Sequence, residues 1–368
     1  MYRSFEVRGF RCLRKLTLDS LERVNLIAGV NNVGKTALLE ALFLHCGAYN
    51  PALTLSINAF RGIDSIKVEL GKRAETPWDS LFSDFNVSQN VELEGENDVA
   101  EHRLLQLRVI RQPEELARLR WFIQRDLGSS ENLPLTSKSA ILSSTVVETV
   151  LELVYRQEGR EDKYYMILDP TGLRTEPIPP PPPFPAFFLA ARMPVSWQED
   201  AELIGKLDIA GQQDVLVEAL RVIEPKLRRL SLVVTGGVPM IHGDVGVGRL
   251  LPLPVMGEGM VRIASLVLRI ANASGGVVLV DEIENGLHHS ILPSVWQVIG
   301  KYARRFNTQV FATTHSLECI TAAHEAFTQS ELYDFRLHRL ERKNEVIRAV
   351  TYDKEVLAAA LETGLEVR

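Results

Sequence analysis

The chain has 368 residues, enough for one large domain or two ordinary ones, with 46% hydrophobic and 24% charged residues and a mean hydropathy of +0.01. That profile fits a soluble globular protein, and no apolar run nears the roughly 20 residues a membrane span needs. A net charge of −6 excludes a chain that binds nucleic acid by overall charge, while leaving room for a local basic patch. Cys12, Cys46 and Cys319 are scattered without a C-x-x-C pair, which speaks against a zinc site or a disulfide framework and for a reducing cytoplasm. The opening MYRSFEVRGF has no apolar signal core.

In chain order, Phe5–Phe10 and Leu16–Leu18 alternate apolar and polar residues and read as a hairpin. Val24–Ala28 is an apolar run of buried-strand form, and Thr36–Leu44 carries apolar residues at helical spacing. Between them lies GVNNVGKT: Gly29, Val30, Asn31, Asn32, Val33, Gly34, Lys35 and Thr36, with Ala37 opening the helix. This is the G-x-x-x-x-G-K-[ST] pattern in its strand–loop–helix context. The glycines let backbone N–H groups turn inward, and the helix start adds partial positive charge, which together suit a triphosphate. Lys35 would reach the β- and γ-phosphates of ATP, and Thr36 would offer its hydroxyl to Mg²⁺.

The texture then changes. Short strands are expected at Ser65–Leu70, Asn90–Glu94, Leu105–Ile110 and Lys163–Leu168, with a helix opening at Pro113 and acids in its first turn. No long heptad repeat points to a coiled-coil arm. Pro179–Pro183 reads as a stiff spacer in preference to a ligand for a proline-binding module. Phe187–Ala191 returns to a buried strand, Asp214–Val222 to a helix ended by Pro225, and Leu230–Val234 with Pro239–His242 to a strand pair around Gly236–Gly237.

Val277–Val280 is aliphatic and runs into Asp281 and Glu282, the form of a central parallel strand ending at a metal site. Asp281 would hold Mg²⁺, and Glu282 would orient or deprotonate the attacking water. One helix-length later, Gln309–Thr314 is a second apolar strand, ending in hydroxyls and His315. In a parallel sheet His315 falls at the same edge as the other two loops, where it would sense the γ-phosphate. His288 and His289 are adjacent, so their side chains should point differently, which argues against a shared metal. Gln198 has no local pattern around it and carries no role.

As an ordered set these motifs resemble ABC-type ATPases of the SMC, RecF and OLD (overcoming lysogenization defect) group, and most of all standalone OLD-like "AAA family" ATPases. FEVRGFRCLRKLTL is similar to their opening hairpin, GVNNVGKTALLEAL to their phosphate loop, VLVDEIENGLHHSIL to their acidic strand and D-loop, and FATTHS to their switch-histidine strand. MGEGMVRIASLVLRIA occupies the place of the ABC signature, with Met256 where serine is usual, while Gly257 and Gly259 stay. Backbone N–H groups there could still face an anion, or MGEG could be a simple helix-start turn. By the same resemblance Arg11 stands where relatives contact nucleotide phosphate, although an exposed hairpin arginine reads equally well. His288 and His289 would lie in the D-loop near a dimer interface.

The resemblance implies a fold and a function. The fold is an α/β P-loop NTPase, ABC ATPase-like, with core residues 1–49 and 185–368 and an inserted β-rich, α+β lobe at 50–184 ending in the polyproline linker. The function is a Mg-dependent ATPase acting as an ATP-gated homodimeric switch in DNA-associated work or anti-phage defence. Each ATP would sit between one subunit's phosphate loop and Gly257–Gly259 of the other. OLD nucleases continue into a TOPRIM domain, whereas only residues 317–368 follow Ser316 here. A separately encoded effector, such as a TOPRIM-type nuclease, is therefore expected, with double-stranded DNA a candidate partner and no membrane. The alternative is a nucleotide-sensing scaffold that gates a partner protein without touching DNA. Glu282 favours the enzyme and Met256 leans toward the scaffold.

Overall fold

In a computed structural model of the protein, residues 1–62, 76–119, 149–169, 172–191 and 196–368 are described. The chain divides into two compact units. Met1–Phe5, Thr17–Leu39 and Phe184–Arg368 form the first; Glu6–Leu16 and Glu40–Pro183 form the second.

The first unit is built on a six-stranded sheet. Across it lie β16 (Val346–Tyr352), β15 (Phe335–Lys343), β3 (Val24–Ala28), β14 (Gln309–Thr314), β13 (Val277–Val280) and β9 (Ala186–Leu189). All neighbours run parallel except the β15–β16 hairpin. Every residue of β3, β13 and β14 is buried, as expected of parallel strands covered on both faces. The helices α4 (Trp197–Ile209), α5 (Asp214–Leu220), α7 (Glu258–Asn272), α8 (Leu292–Arg305) and α9 (Leu317–Thr328) each bury an apolar stripe in one contiguous core. α10 (Lys354–Glu362) follows the last strand, capped by Asp353, whose side chain accepts from the Val356 N–H. A separate antiparallel sheet of β10 (Arg229–Thr235), β11 (Val238–Asp244) and β12 (Leu251–Pro252) leads into the short α6 (Leu253–Met256).

Register decides where the chemistry falls. Thr314 pairs with Ala28 and Val280 with Ala312, so β3, β13 and β14 end at one edge. The residues just past those ends are Gly29, Asp281 and His315. The sequence did not suggest α4. Ser196 caps it by accepting from the Glu199 N–H, and its buried stripe of Leu203, Ile204 and Leu207 is interrupted by charged residues.

The second unit carries a seven-stranded sheet in the order β2 (Leu13–Leu18), β1 (Tyr2–Phe10), β4 (Val91–Asn97), β5 (His102–Ile110), β6 (Thr149–Gln157), β7 (Arg160–Asp169) and β8 (Gly172–Glu176). From β4 to β8 it is an antiparallel meander. Because β1 pairs with β4, Glu6–Leu16 group with this sheet. β6 and β8 were not among the expected strands. The first seven residues of β6 are all buried, so alternation is lost, and β8 is short and polar. The strand expected at Ser65–Leu70 lies outside the described residues.

α1 (Lys35–Cys46) runs across the division of the units, and α2 (Leu53–Ala59) belongs to the second. α3 (residues 113–119) opens at Pro113, as its start signal predicts. Glu40 of α1 is fully buried, with Arg11 Nε at 2.7 Å and Arg61 Nε at 2.6 Å. The Arg11 side chain is only 10% exposed, so the exposed-arginine reading fails. It also donates to Asn58 Oδ1 at 3.1 Å.

Candidate active site

The loop after β3 is shaped by three residues in left-handed or related conformations: Gly29 (φ 148°), Asn32 (φ 61°) and Gly34 (φ 106°). A Cβ at Gly29 would sit 2.7 Å from the Leu340 carbonyl oxygen, so glycine is required there on space as well as on φ. Val30 is 65% exposed, and Asn31 and Asn32 are exposed at the loop's rim, whereas Val33 and Ala37 are buried beneath it. Arg342 of β15 donates to the Asn32 carbonyl at 3.2 Å and ties the loop to the sheet.

Lys35 is buried. Its Nζ donates to the carbonyls of Gly29 (2.6 Å) and Val30 (3.1 Å), within the loop it would serve. Burial lowers its pKa, opposed by the charges of Asp281, Glu282 and Glu284. The Thr36 hydroxyl donates to the Asp281 carboxylate at 3.0 Å to Oδ2 and 3.1 Å to Oδ1. Asp281 also accepts from the Thr313 hydroxyl at 2.7 Å. Burial pushes its pKa up, against the pull of the Thr313 and Thr36 hydroxyls. Hydroxyl and carboxylate oxygens meeting in this way form a hard donor set, which fits Mg²⁺.

Glu282 stands at φ 49°, a left-handed conformation uncommon for a residue with a Cβ. The buried Thr313 holds it there: its hydroxyl accepts from the Glu282 N–H at 2.8 Å while donating to Asp281. Asn285 Nδ2 donates to Glu282 Oε2 at 2.8 Å. Arg262 of α7 donates to the carbonyls of Asp281 (2.9 Å) and Glu282 (3.3 Å), so the strand end's orphan acceptors are met. Burial lowers the Arg262 pKa.

His315 follows β14 with its side chain half-exposed and Nδ1 3.2 Å from Glu284 Oε1. The same oxygen accepts from the His315 N–H (3.0 Å) and the Thr314 hydroxyl (2.8 Å).

The structure therefore brings together Lys35, Thr36, Asp281, Glu282 and His315. Gly257 (φ 123°) precedes α7 with no side-chain cap, and Gly259 lies close beneath the loop after Glu282: its Cβ would be 3.3 Å from the Gly286 carbonyl oxygen. Arg11 sits in the second unit, on Glu40. His288 and His289 do not point apart. Their rings lie 4.1 Å apart at 39°, because His288 folds back to accept from the Ser290 N–H at 3.3 Å. Among the described residues no group of three His, Cys, Asp or Glu is placed to hold a metal, and no helix is long and apolar enough to cross a membrane. The sequence reading missed Thr313, Glu284, Asn285, Arg262 and Arg342. The hydroxyl pair before His315 was the only signal for any of them.

Two domain descriptions match the chain: "AAA domain" over residues 4–154, and "AAA domain, putative AbiEii toxin, Type IV TA system" over residues 181–320. The chain is 22% identical to an "ATP/GTP phosphatase" of Helicobacter pylori, with 97% of each covered. It is 34% identical to the "DNA replication and repair protein RecF" of Thioalkalivibrio sulfidiphilus over 28% of this chain and 31% of that one. Its fold is similar to that of an SMC head solved with the C-terminal winged-helix domain of ScpA, at a TM-score of 0.50 and 12% identity, covering 98% and 99% of the two chains. Residues 4–154 and 181–320 thus match AAA domains, and the fold is that of an SMC head.

Proposed function

We propose that this chain hydrolyses ATP with Mg²⁺ and works as an ATP-gated homodimeric switch. One observation carries the reading: Lys35, Thr36, Asp281 and Glu282 meet where β3 and β13 end. Backbone N–H groups of Gly29–Ala37 and the start of α1 would cradle the phosphates. The Lys35 Nζ would exchange its two carbonyl partners for β- and γ-phosphate oxygens. Thr36 and Asp281 would hold Mg²⁺, which supplies positive charge for the phosphate oxygens when bound. Glu282, fixed by Thr313 and Asn285, would take the proton of the attacking water, with His315 at the γ-phosphate. Residues 1–49 and 185–368 would be the working core and 50–184 the inserted lobe.

The dimer reading rests on Gly257 and Gly259. They leave the N–H groups at the start of α7 without a side-chain cap, an arrangement that suits a second subunit's phosphate. Similarity to RecF and to an OLD-like pattern supports DNA-associated work or phage defence in the cytoplasm, with a separately encoded effector nuclease and double-stranded DNA as partners. A distance measurement tests the switch. Spin labels at Asn31 and Val255, both exposed, in a Cys12→Ser background, should draw together between subunits when ATP is added to Glu282→Gln. An unchanged distance removes the shared-site dimer. ATP turnover that ignores double-stranded DNA would favour the nucleotide-sensing scaffold.

A further inference from the structure

We propose that Glu284 is the positioning residue for His315: its carboxylate fixes the orientation and tautomer of the imidazole, so that Nε2 is the atom presented to the nucleotide. The inference rests on the reading of this site as an ATP-hydrolysing one.

Three groups converge on Glu284 Oε1, all from the end of β14: the Thr314 hydroxyl and the His315 N–H donate hydrogen bonds to it, and His315 Nδ1 lies 3.2 Å away, at ion-pair distance. The side chain is 12% exposed, and Oε2 is buried without a hydrogen-bond partner among the described residues. A carboxylate in a turn that served only to tie two strand ends together would be met by the first two donors. The third is a side-chain contact whose geometry depends on where the carboxylate lies. With Oε2 unmet among the described residues, a donor or cation beside this carboxylate would offset its desolvation. His315 is a half-exposed ring against it.

The chemistry follows from the two ring nitrogens. A carboxylate accepting at Nδ1 keeps the proton there and leaves Nε2 as the free atom. When the ring takes up a second proton, Nε2–H becomes a donor to a phosphate oxygen, and Glu284 balances the imidazolium. Without Glu284, the neutral ring would revert to the common Nε2-protonated tautomer and turn freely about its side-chain bonds. The acid lies three residues after Asp281, so the strand that would hold the metal also aims the histidine.

The test reads the ring itself. Histidine-selective ¹⁵N labelling of the nucleotide-free chain gives eight imidazoles, and His315→Gln identifies the signal of interest. The parent protein should show His315 protonated at Nδ1. Glu284→Gln should keep that state, because its amide oxygen still accepts. Glu284→Ala should lose it. In turnover, Glu284→Ala should lower kcat by about 10–100-fold with ATP affinity unchanged, and Glu284→Gln should recover most of the loss. In a His315→Gln background, Glu284→Ala should add little. An unchanged His315 tautomer in Glu284→Ala, or equal kcat losses in the Ala and Gln variants, overturns the assignment. If the parent chain fails to hydrolyse ATP, the hydrolysis reading fails by itself, while the tautomer still decides the Glu284–His315 pairing.

Discussion

The two sheets use buried carboxylates in opposite ways. In the seven-stranded sheet and the helices grouped with it, acids meet arginines. Glu40 is held by Arg11 and Arg61, and Glu152 of β6 by Arg108 of β5 at 2.8 Å. At the edge of the six-stranded sheet, Asp281 is met by two hydroxyls, Glu282 by an amide, and Glu284 by hydroxyl, N–H and imidazole. There Glu282 is also left-handed, and one Glu284 oxygen has no hydrogen-bond partner among the described residues. Neutral partners hold an acid in place without cancelling its charge, so it remains able to bind a cation or accept a proton. Fully paired acids contribute to stability and have little left for chemistry. The strained Glu282 and the unmet Glu284 acceptor stand beside Lys35, Thr36 and Asp281, which fits the proposal that this edge is the working one.

The largest effect that could break this contrast is at Glu282. Glu282→Gln keeps the Asn285 contact but cannot take a proton, so kcat should fall by about 10²–10⁴-fold while ATP still binds. Steady-state turnover with a parallel calorimetric titration measures both. A kcat within threefold of the parent would falsify the base assignment.

Next comes the opposite case. Glu40→Ala leaves two arginine heads without their shared carboxylate, one of them buried. Stability should drop by about 3–5 kcal/mol, read by urea denaturation. Asp281→Asn, which removes a charge that burial disfavours, should leave the melting temperature unchanged or higher even as hydrolysis is lost. A stability loss at Asp281 equal to that at Glu40 would erase the distinction.

Lys35→Ala is third. It removes charge-assisted contacts worth about 1.5–3 kcal/mol each, so ATP affinity should weaken by roughly 10²-fold with the fold retained. Calorimetry that returns the parent affinity rejects the phosphate-loop role.

How much of this was open to a reader of the sequence follows the same division. The phosphate loop, Asp281–Glu282 and His315 stand in the chain as apolar runs ended by particular residues, because parallel central strands are apolar throughout and carry their chemistry at their ends. Thr313, Glu284 and Asn285 were hidden because their roles arise from register and from the left-handed turn at Glu282, neither of which has a local signal. Arg262 is one arginine on an amphipathic helix until α7 lays it against the carbonyls of Asp281 and Glu282. In the lobe, β6 escaped because burial on both faces removes alternation, and β8 because a short polar strand has none.

The smallest effect concerns a feature the two units share. Each contains a buried imidazole, His45 in the second and His338 in the first, and burial pushes both pKa values down to about 3. The surroundings differ. His45 Nε2 meets the Arg103 carbonyl at 3.1 Å, with the Arg103 and His102 charges adding to the depression. His338 Nδ1 meets the Thr351 hydroxyl at 3.1 Å, its Nε2 is buried without a hydrogen bond among the described residues, and Arg336 adds to the depression. Since each folded-state pKa lies below the ordinary value of 6.5, the unfolded chain binds more protons in between. The contribution to stability is therefore complete above pH 6.5 and lost as pH falls from there toward 3, by about 1.4 kcal/mol per pH unit for each ring. Thermal melts from pH 7 to pH 4.5 should show a falling midpoint. Substituting His338 by Gln or His45 by Gln should each flatten that fall while lowering the midpoint at pH 7. If neither variant changes the slope, the acid sensitivity comes from the acids. In that case the lobe's arginine-paired carboxylates, above all Glu40 and Glu152, are the groups to replace next.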